Sequence, residues 1–376
     1  MPRTRKLRSF LKWAGGKEQE LKYILPLIPP FDSYYEPFVG GGAVFFAIQA
    51  EKKYINDKSP ELCALYTAIA HNNRDFFHAL DMLLDGWQQL SRLVDDEAST
   101  LIKIYQPYSM HECSAEEITA HLLAFIASHA RIFEGMFEPF FTRGVENFMR
   151  ELERNLVSKT QRMRRLEEKK WRLPEDEIVA NIESALKSAF YMHVRHLYNN
   201  IDAYAIPQSM ASALFFFVRE NAYASMFRYN RRGDFNVPYG GISYNRKNLA
   251  RKVASMQSPE LQAHLATTVI DTSDFEVFLL KHAPQAGDFI FLDPPYDSDF
   301  STYARNAFTM QDHERLADYV LHRCQARFML VIKNTPTILN LYTQPGITVR
   351  SFAKKYLVSF QDRNVRDVEH LLLTNY

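Results

Sequence analysis

The sequence predicts an α/β fold with a Rossmann-like core, in which a doubly wound sheet is interrupted by a helix-rich insertion. The first seventy residues alternate strand, glycine turn, helix and strand, which is typical of the first half of such a sheet. Short apolar segments bounded by polar residues return late in the chain, as buried parallel strands would. The stretch between them is helical and poor in glycine, so we predict a discontinuous core with one large insertion.

The first half of the predicted core is recognised from residue patterns. Apolar and aromatic residues predict two strands, and an acid, Asp57, directly follows the second. Three consecutive glycines between the strands predict a turn. The predicted elements are a strand at 33–38, a turn at 40–42, a helix start at 43–50, a strand at 53–56 and a helix at 61–70.

The domain boundaries follow from the change along the chain between alternating strand and helix patterns and long helical segments. We predict that residues 1–70 and 262–376 form the core and that residues 71–261 form a second domain. This second domain combines a helical insertion at about 90–205 with a hairpin at about 220–250.

Charged helical segments and short apolar runs mark the remaining elements. The charged run at 162–170 is interpreted as a solvated helix face. Further strands are predicted at 214–218, 268–270, 289–292 and 328–332, with a closing hairpin around 356–360 and 369–374.

Composition describes an ordinary soluble globular protein, with 47% hydrophobic and 24% charged residues. No apolar run approaches the roughly 20 residues that a membrane-spanning helix needs. The three cysteines (Cys63, Cys113 and Cys324) are odd in number and widely separated, so neither a disulfide framework nor a zinc site is expected. These features favour the reducing cytoplasm and exclude membrane proteins and disulfide-rich secreted proteins.

Basic residues are concentrated in two places although the net charge is only +1. The first twelve residues hold five Lys or Arg and no acid. Residues 228–252 hold seven Lys or Arg against the single acid Asp234, with aromatic residues interleaved. This mixture suits a nucleic-acid backbone and unstacked bases, and a solvated basic loop is the alternative.

The run Asp293-Pro294-Pro295-Tyr296 directly follows the predicted strand at 289–292, where the carboxyl ends of parallel strands form a ligand crevice. Two prolines fix the backbone and remove two N–H donors, leaving a carboxylate, a carbonyl and an aromatic face at one place. An aromatic amine needs this set of groups to act as a nucleophile. The Asp293 carboxylate and the Pro294 carbonyl would accept its two hydrogens, while Tyr296 stacks on the ring. A loop turn with a capping aspartate is the alternative.

The run EPFVGGG at residues 36–42 places glycines between a strand and a helix, where the backbone can approach a ligand closely. It is neither a Walker loop nor a GxGxxG motif. Asp57, at the end of the next predicted strand, can accept hydrogen bonds from both hydroxyls of a ribose. Together these features predict a site for an adenosyl cofactor without a pyrophosphate.

Four motifs in this order resemble the Dam family of DNA adenine-N6 methyltransferases, in the arrangement of its α group, and type II modification methylases. They are FLKWAGGK at 10–17, EPFVGGG at 36–42, the FRYNRRGDFNVPYG segment at 227–240 and DPPY at 293–296. The resemblance covers roughly residues 7–70 and 210–376. It implies an S-adenosylmethionine-dependent methyltransferase core with a target-recognition insertion, while residues from about 90 to 205 have no counterpart in it.

The resemblance also implies roles for the cofactor-binding residues. S-adenosylmethionine would be the methyl donor and S-adenosylhomocysteine the product, with no metal involved. The methionine end of the cofactor would lie near Trp13, Lys17, Phe38 and Gly40, its ribose on Asp57, and its adenine near Asp274 and Phe275. Asp293 would also bind the cofactor. For Asp274 and Phe275, a helix cap and a core aromatic are the alternative.

Duplex DNA is the implied substrate, and the segment at 227–240 looks like the family's recognition hairpin. Lys12 resembles a residue that reaches a base, and Arg231 and Arg232 suit phosphates. The positions that enter the duplex or read base edges would be Tyr223, Met226, Arg228 and Pro238, and Asn230 is a further DNA-binding residue. Ala224 and Ser225 stand where many relatives have Asn-Gly, so GATC is only the leading candidate site.

The predicted function is therefore methyl transfer to the N6 amine of an adenine that is flipped out of the duplex. Three alternatives are open: an N4-cytosine methyltransferase, an RNA adenine methyltransferase, and a non-catalytic DNA-binding protein on the same scaffold. The resemblance also leaves open a restriction–modification, phage or housekeeping role in a bacterial cytoplasm, with a cognate restriction endonuclease as a candidate partner.

Overall fold

The structure is a computed structural model that describes residues 7–13, 15–137, 139, 141–142, 144–295, 308–355 and 367–376. The chain divides into two compact units. The first unit joins Met1–His71 to Gln257–Tyr376, and the second is Asn72–Met256.

The first unit is built on a sheet that has seven strands in the described part of the chain. The strand order is β3-β2-β1-β4-β5-β7-β6, and only β7 runs antiparallel to its neighbours. The strands are β1 (Ser33–Glu36), β2 (Lys52–Asn56), β3 (Thr268–Asp271), β4 (Phe289–Leu292), β5 (Arg327–Lys333), β6 (Thr348–Lys355) and β7 (Asp367–Thr374). The order reverses between β1 and β4, and ligands bind beyond the carboxyl ends of strands at such a reversal.

Helices flank the sheet in the first unit and make up most of the second. They are α1 (Leu21–Ile24), α2 (Pro60–Ala70), α3 (Arg74–Asp96), α4 (Ala98–Ser109), α5 (Ala115–Ser128), α6 (Ala130–Gly135), α7 (Val145–Glu167), α8 (Glu175–Asn199), α9 (Gln208–Asn221), α10 (Ala250–Met256), α11 (Pro259–Ala266), α12 (Phe275–His282), α13 (Met310–Asp318) and α14 (Pro336–Tyr342). None of the helices in the described part of the chain is both long enough and apolar enough to cross a membrane.

The core of the first unit lies on both faces of the central strands. All four residues of β4 are buried, and so are the five middle residues of β5. Because helices cover both faces, these strands are continuously apolar rather than alternating. Their rigidity holds the loops that follow β1, β2 and β4 at one edge of the sheet.

In the second unit, α7 and α8 pack side by side as long amphipathic helices. The buried residues of α7 recur three or four positions apart, as one face of a helix requires. Aromatic side chains also pack between α8 and its neighbours α3 and α9, with the ring of Trp87 on α3 5.8 Å from Phe190 on α8 and 5.4 Å from Phe217 on α9. The buried residues of α7 are Phe148, Leu152, Leu156, Thr160 and Met163.

The predicted strands at 33–38, 53–56, 268–270, 289–292, 328–332 and 369–374 are confirmed to within two residues at each end. The predicted strand at 214–218 is wrong, because these residues lie inside α9. An apolar run of this kind has no periodicity, and α9 is buried on every side from Ala211 to Asn221.

The predicted helix at 43–50 is also wrong. Only a 3₁₀ turn forms at Phe45–Ala47, and Ile48 is already extended, in a run of aromatic and branched residues that disfavour helix. Residues 356–360 lie outside the described residues.

Candidate active site

One buried side chain connects three loops at the carboxyl edge of the sheet. Asn56 ends β2 and is 1% exposed. Its amide nitrogen donates to the carbonyls of Pro37, after β1, at 3.0 Å and of Ser273, after β3, at 3.1 Å. Its amide oxygen accepts from the Ser273 backbone N–H at 2.9 Å. Asn56 therefore fixes the spacing of the loops that carry the predicted cofactor residues, a role that the sequence did not reveal.

The glycine loop after β1 packs against the segment that contains Trp13. Gly40 has a φ of +47°, and a Cβ atom there would lie 2.7 Å from Trp13 Cδ1. Both facts require glycine at this position. The Gly40 carbonyl also accepts a hydrogen bond from the Tyr66 hydroxyl at 3.1 Å. The FLKWAGGK and EPFVGGG segments, which are separate in sequence, thus form one surface.

Asp57 lies beside this loop. Its carboxylate accepts hydrogen bonds from the backbone N–H of Gly40 at 3.1 Å and of Ser59 at 2.9 Å. Burial raises the pKa of this carboxyl to about 6, although both N–H groups act to lower it. The side chain nevertheless keeps partial exposure, so a hydroxyl-bearing ligand can reach it.

Asp293 follows β4 and faces a buried cation. The Lys17 ammonium is 2.5 Å from Asp293 Oδ2 and donates to the Gly15 carbonyl at 2.9 Å. The Lys17 side chain is 2% exposed and that of Asp293 18%. Pro294 is buried and Pro295 exposed, while Tyr296 lies outside the described residues. Lys17, which is predicted to bind the cofactor, thus contacts the carboxylate of Asp293, the predicted catalytic residue.

A second acid, Glu36, lies in the same neighbourhood and was not among the predicted site residues. It ends β1, is 2% exposed, and accepts a hydrogen bond from the Tyr34 hydroxyl at 2.7 Å. Burial raises the pKa of Glu36 well above its ordinary value, and the nearby Asp293 carboxylate raises it further. The Tyr34 hydrogen bond and the Lys17 ammonium lower this pKa, so Lys17 faces the Asp293 carboxylate beside a second carboxyl that is weakened as an acid by burial. The signal in the sequence was an acid at the end of an otherwise buried strand.

The predicted adenine-binding pair already has structural contacts. Asp274 caps α12 through the backbone N–H of Glu276, and both its oxygens accept from the Arg315 guanidinium at 3.0 and 2.9 Å. Phe275 is buried, 5.4 Å from the ring of Phe38. The cap and the core aromatic are thus present, as the alternative interpretation expected. Phe38, which is half-buried and packs on Phe275, gives this edge an apolar aromatic surface.

The second unit contains the predicted hairpin. Antiparallel bridges pair Ala222 with Tyr239 and Tyr229 with Phe235. Asn230 organises the turn, because its side-chain oxygen accepts from the backbone N–H groups of Arg232 and Asp234, each at 2.9 Å. Its side chain is therefore occupied within the turn.

The other residues predicted to bind DNA lie mainly on the exposed side of this hairpin. Arg228, Arg231, Arg232, Tyr223 and Pro238 are exposed, and Met226 is half-buried. The Arg228 side chain donates to Asn236 at 3.0 Å. Lys12, also exposed, belongs to the first unit.

A stripe of polar residues on α8 holds the buried side of the hairpin. Asn199 donates to the Phe235 carbonyl at 3.0 Å and accepts from the Phe235 N–H at 2.9 Å. Tyr191 and Arg195 donate to the Val237 carbonyl at 2.9 and 3.0 Å. Lys187 donates to the Asn245 carbonyl. These four residues recur every four positions, so a single helix face sets the register of the hairpin.

The family model of D12 class N6 adenine-specific DNA methyltransferases matches residues 13–100 and 161–356, three quarters of the chain. The chain belongs to this family. It is an adenine-specific, site-specific DNA methyltransferase, and membership implies S-adenosylmethionine as the methyl donor and DNA as the substrate. The resemblance inferred from the four motifs is confirmed, and so is the methyltransferase core.

Several curated proteins are similar over nearly the whole chain. The type II methyltransferase M.CviBI of Paramecium bursaria Chlorella virus is 25% identical over 98% of this chain and 100% of its own length. The type II methyltransferase M.MjaIII of Methanocaldococcus jannaschii is 24% identical over 98% of this chain and 99% of its own. The DNA adenine methylase of Vibrio cholerae is 22% identical over 87% of this chain and 81% of its own.

Proposed function

We propose that this methyltransferase acts on an adenine flipped out of duplex DNA, with Asp293 and the Pro294 carbonyl as the acceptors of the N6 hydrogens. The observation that carries this proposal is the contact between Lys17 and Asp293 at the carboxyl end of β4. A buried ammonium at 2.5 Å favours the ionised carboxylate, and an ionised carboxylate can only accept hydrogen bonds. That is the state that an amine nucleophile requires.

The chemistry of the amine explains why both acceptors are needed. The N6 lone pair is delocalised into the purine ring, and bonding both hydrogens to acceptors favours the geometry that directs the lone pair outward. The bound cofactor would supply an electrophilic methyl group and leave as S-adenosylhomocysteine, and the methylated amine would then lose one N6 hydrogen to solvent as a proton. As N6 gains positive charge, the Asp293 carboxylate complements that charge from a fixed position. Tyr296 is proposed to stack on the flipped base, as its place in the DPPY motif implies.

The residues around the glycine loop suit an S-adenosylmethionine site. We propose that Asp57 accepts hydrogen bonds from the ribose hydroxyls, and that Trp13, Lys17 and Gly40 contact the methionine end. The half-buried Phe38 ring, supported by the buried Phe275, offers an apolar surface for adenine. Asp274 contributes by fixing Arg315 and the start of α12, because both its oxygens are already bonded.

For DNA, we propose that the hairpin of the second unit reads the target site. Arg228 carries the guanidinium suited to a guanine edge, while Arg231 and Arg232 at the turn suit phosphates. GATC is the leading candidate sequence. Two of the relatives are type II methyltransferases by name, which makes a cognate restriction endonuclease a candidate partner, in a bacterial or phage-infected cytoplasm.

Modification-sensitive sequencing of DNA from a methylation-free bacterial host tests this function. The host expresses either the protein or its Asp293→Ala variant. We expect N6-methyladenine at one short motif, and its loss in the variant. Modified cytosine would favour the N4-cytosine alternative. An RNA substrate or a non-catalytic role would follow if a protein that binds S-adenosylmethionine left the DNA unmodified.

A further inference from the structure

The last turns of α7 and the loop that joins it to α8 carry a basic surface that the hairpin does not include. We call it the tip patch. All of its side chains are exposed, and the described part of the chain gives its five cations no ion pair. The tip patch consists of Arg162, Arg165, Lys169, Lys170, Trp171 and Arg172.

The two acids within this segment are engaged elsewhere. Glu167 accepts from the hydroxyls of Tyr105 at 2.8 Å and Ser109 at 2.7 Å, both on α4, and from the Leu173 N–H at 2.9 Å. Glu168 lies 3.3 Å from the guanidinium of Arg164. The acids therefore fix the loop, and in the described part of the chain none of the five cations of the tip patch is ion-paired. The exposed acids Glu175, Asp176 and Glu177 begin α8 beyond the patch.

Trp171 is the second observation. It is 62% exposed, more than any other large hydrophobic side chain in the described part of the chain. The Lys170 ammonium lies 5.5 Å from its ring centroid. An exposed tryptophan surrounded by cations fits a nucleic acid, because the ring can pack on sugars or bases while the cations bind phosphates.

We propose that the tip patch binds the phosphate backbone of the same duplex outside the recognition site. This inference rests on the proposed function, in which the hairpin reads that site. The α8 helix spans roughly 35 Å between the tip patch and Asn199, at 1.5 Å per residue. That length corresponds to about ten base pairs of DNA at 3.4 Å per step. The patch therefore contacts DNA up to about one helical turn from the hairpin.

The test compares a duplex of about 14 base pairs with one of about 40 base pairs. Each has at its centre the unmodified motif that the protein methylates. The triple variant Lys169→Ala/Lys170→Ala/Arg172→Ala removes three of the five cations of the tip patch, and Trp171→Ala separately removes its aromatic ring. The matched control, Arg92→Ala/Lys103→Ala/Arg131→Ala, removes three exposed charges from other helices of the same unit. Fluorescence anisotropy at several salt concentrations gives the affinity of the full-length protein for each duplex.

We expect the patch triple variant to bind the long duplex roughly tenfold more weakly, with a salt slope smaller by about three phosphate contacts. Its affinity for the short duplex and its methylation of that duplex stay at the wild-type level, and the control stays within about twofold throughout. Trp171→Ala weakens binding of the long duplex only, without a change in salt slope.

Two results overturn the inference. One is a patch triple variant that binds the long duplex with the affinity and salt slope of the wild-type protein. This result overturns the inference even if sedimentation shows that the variant has a different oligomeric state. The other is an equal loss on both duplexes. Failure of the wild-type protein to methylate either duplex is a distinct result, which removes the proposed function and this inference with it.

Discussion

The Lys17 ammonium lies 2.5 Å from the carboxylate of Asp293, although 276 positions separate the two residues. Lys17 is almost fully buried, and burial raises the pKa of the nearby Glu36 carboxyl well above its ordinary value. The Lys17 ammonium thus faces the Asp293 carboxylate at the end of β4. This pairing connects the N-terminal FLKWAGGK segment to the chemistry proposed at the DPPY motif.

Replacing Lys17 by methionine should lower kcat by roughly 10² and shift the acid limb of the pH–rate profile to higher pH. The reason is that Lys17 favours the ionised form of Asp293, so without it a higher pH is needed to ionise that carboxyl. Steady-state kinetics between about pH 5 and 8 measure both effects. Lys17→Arg, which keeps the charge, should restore the position of the limb. An unchanged profile in Lys17→Met would show that Lys17 does not act through Asp293.

The pKa of Asp57 predicts how cofactor binding depends on pH. Burial raises this pKa to about 6, and only the ionised carboxylate accepts bonds from both ribose hydroxyls. The affinity for S-adenosylmethionine should therefore be full above about pH 6 and fall by up to about tenfold per pH unit below it. Calorimetric titrations across this range measure the dependence.

Two asparagine variants test whether Asp57, and not another acid, causes the transition in cofactor affinity near pH 6. Asp57→Asn should bind weakly and lose the transition near pH 6. Asp274→Asn should keep the transition, because hydrogen bonds from Arg315 lower the pKa of Asp274 and keep it ionised over this range. A transition that persists in Asp57→Asn would assign it to a different group.

Gly40→Ala should destabilise the glycine loop by about 1–3 kcal/mol and weaken cofactor binding. The residue has a φ of +47°, and the added Cβ would lie 2.7 Å from Trp13 Cδ1. Thermal unfolding with and without S-adenosylmethionine measures both effects. The matched control is Gly135→Ala, where a Cβ meets nothing within 4 Å. Equal behaviour of the two variants would contradict the packing of Trp13 on the loop.

Asn199→Ala should reduce kcat/KM for DNA by about tenfold while leaving S-adenosylmethionine binding unchanged. The side chain makes two hydrogen bonds to the Phe235 backbone and so holds the hairpin on α8. Asn181→Ala is the control on the same helix, since the Asn181 amide donates to the Glu177 carbonyl within α8 and to no other group among the described residues. A loss shared by both variants would point to general destabilisation of α8 instead.

Ala224 and Ser225 explain why the target site was hard to predict. Both residues have a positive φ, 50° and 54°, which is uncommon for residues other than glycine and asparagine. The Asn-Gly pair of many relatives suits this backbone without strain. The sequence showed that the pair had changed, and the structure shows that the loop has kept a left-handed conformation without it.

The parallel strands and the motif-bearing loops were predictable because their signals are local. A strand such as β4 is a short apolar run that ends at an acid, and both parts lie within five residues. The contacts of Asn56 and Lys17 were not predictable, because they join loops that are distant in sequence. The α8 stripe was present as a four-residue repeat, but nothing in the sequence indicated which backbone it would bond. In α9, burial on all sides removed the periodicity that distinguishes helix from strand.

The most direct test of the proposed chemistry is nucleoside mass spectrometry of duplex DNA after incubation with the protein and isotope-labelled S-adenosylmethionine. The wild-type protein and Asp293→Asn, which keeps the shape of the side chain but not its charge, are compared at equal cofactor occupancy. We predict labelled N6-methyldeoxyadenosine from the wild type and a rate at least about 10²-fold lower from the variant. Undiminished transfer by Asp293→Asn, or label in N4-methyldeoxycytidine, would contradict the proposed mechanism.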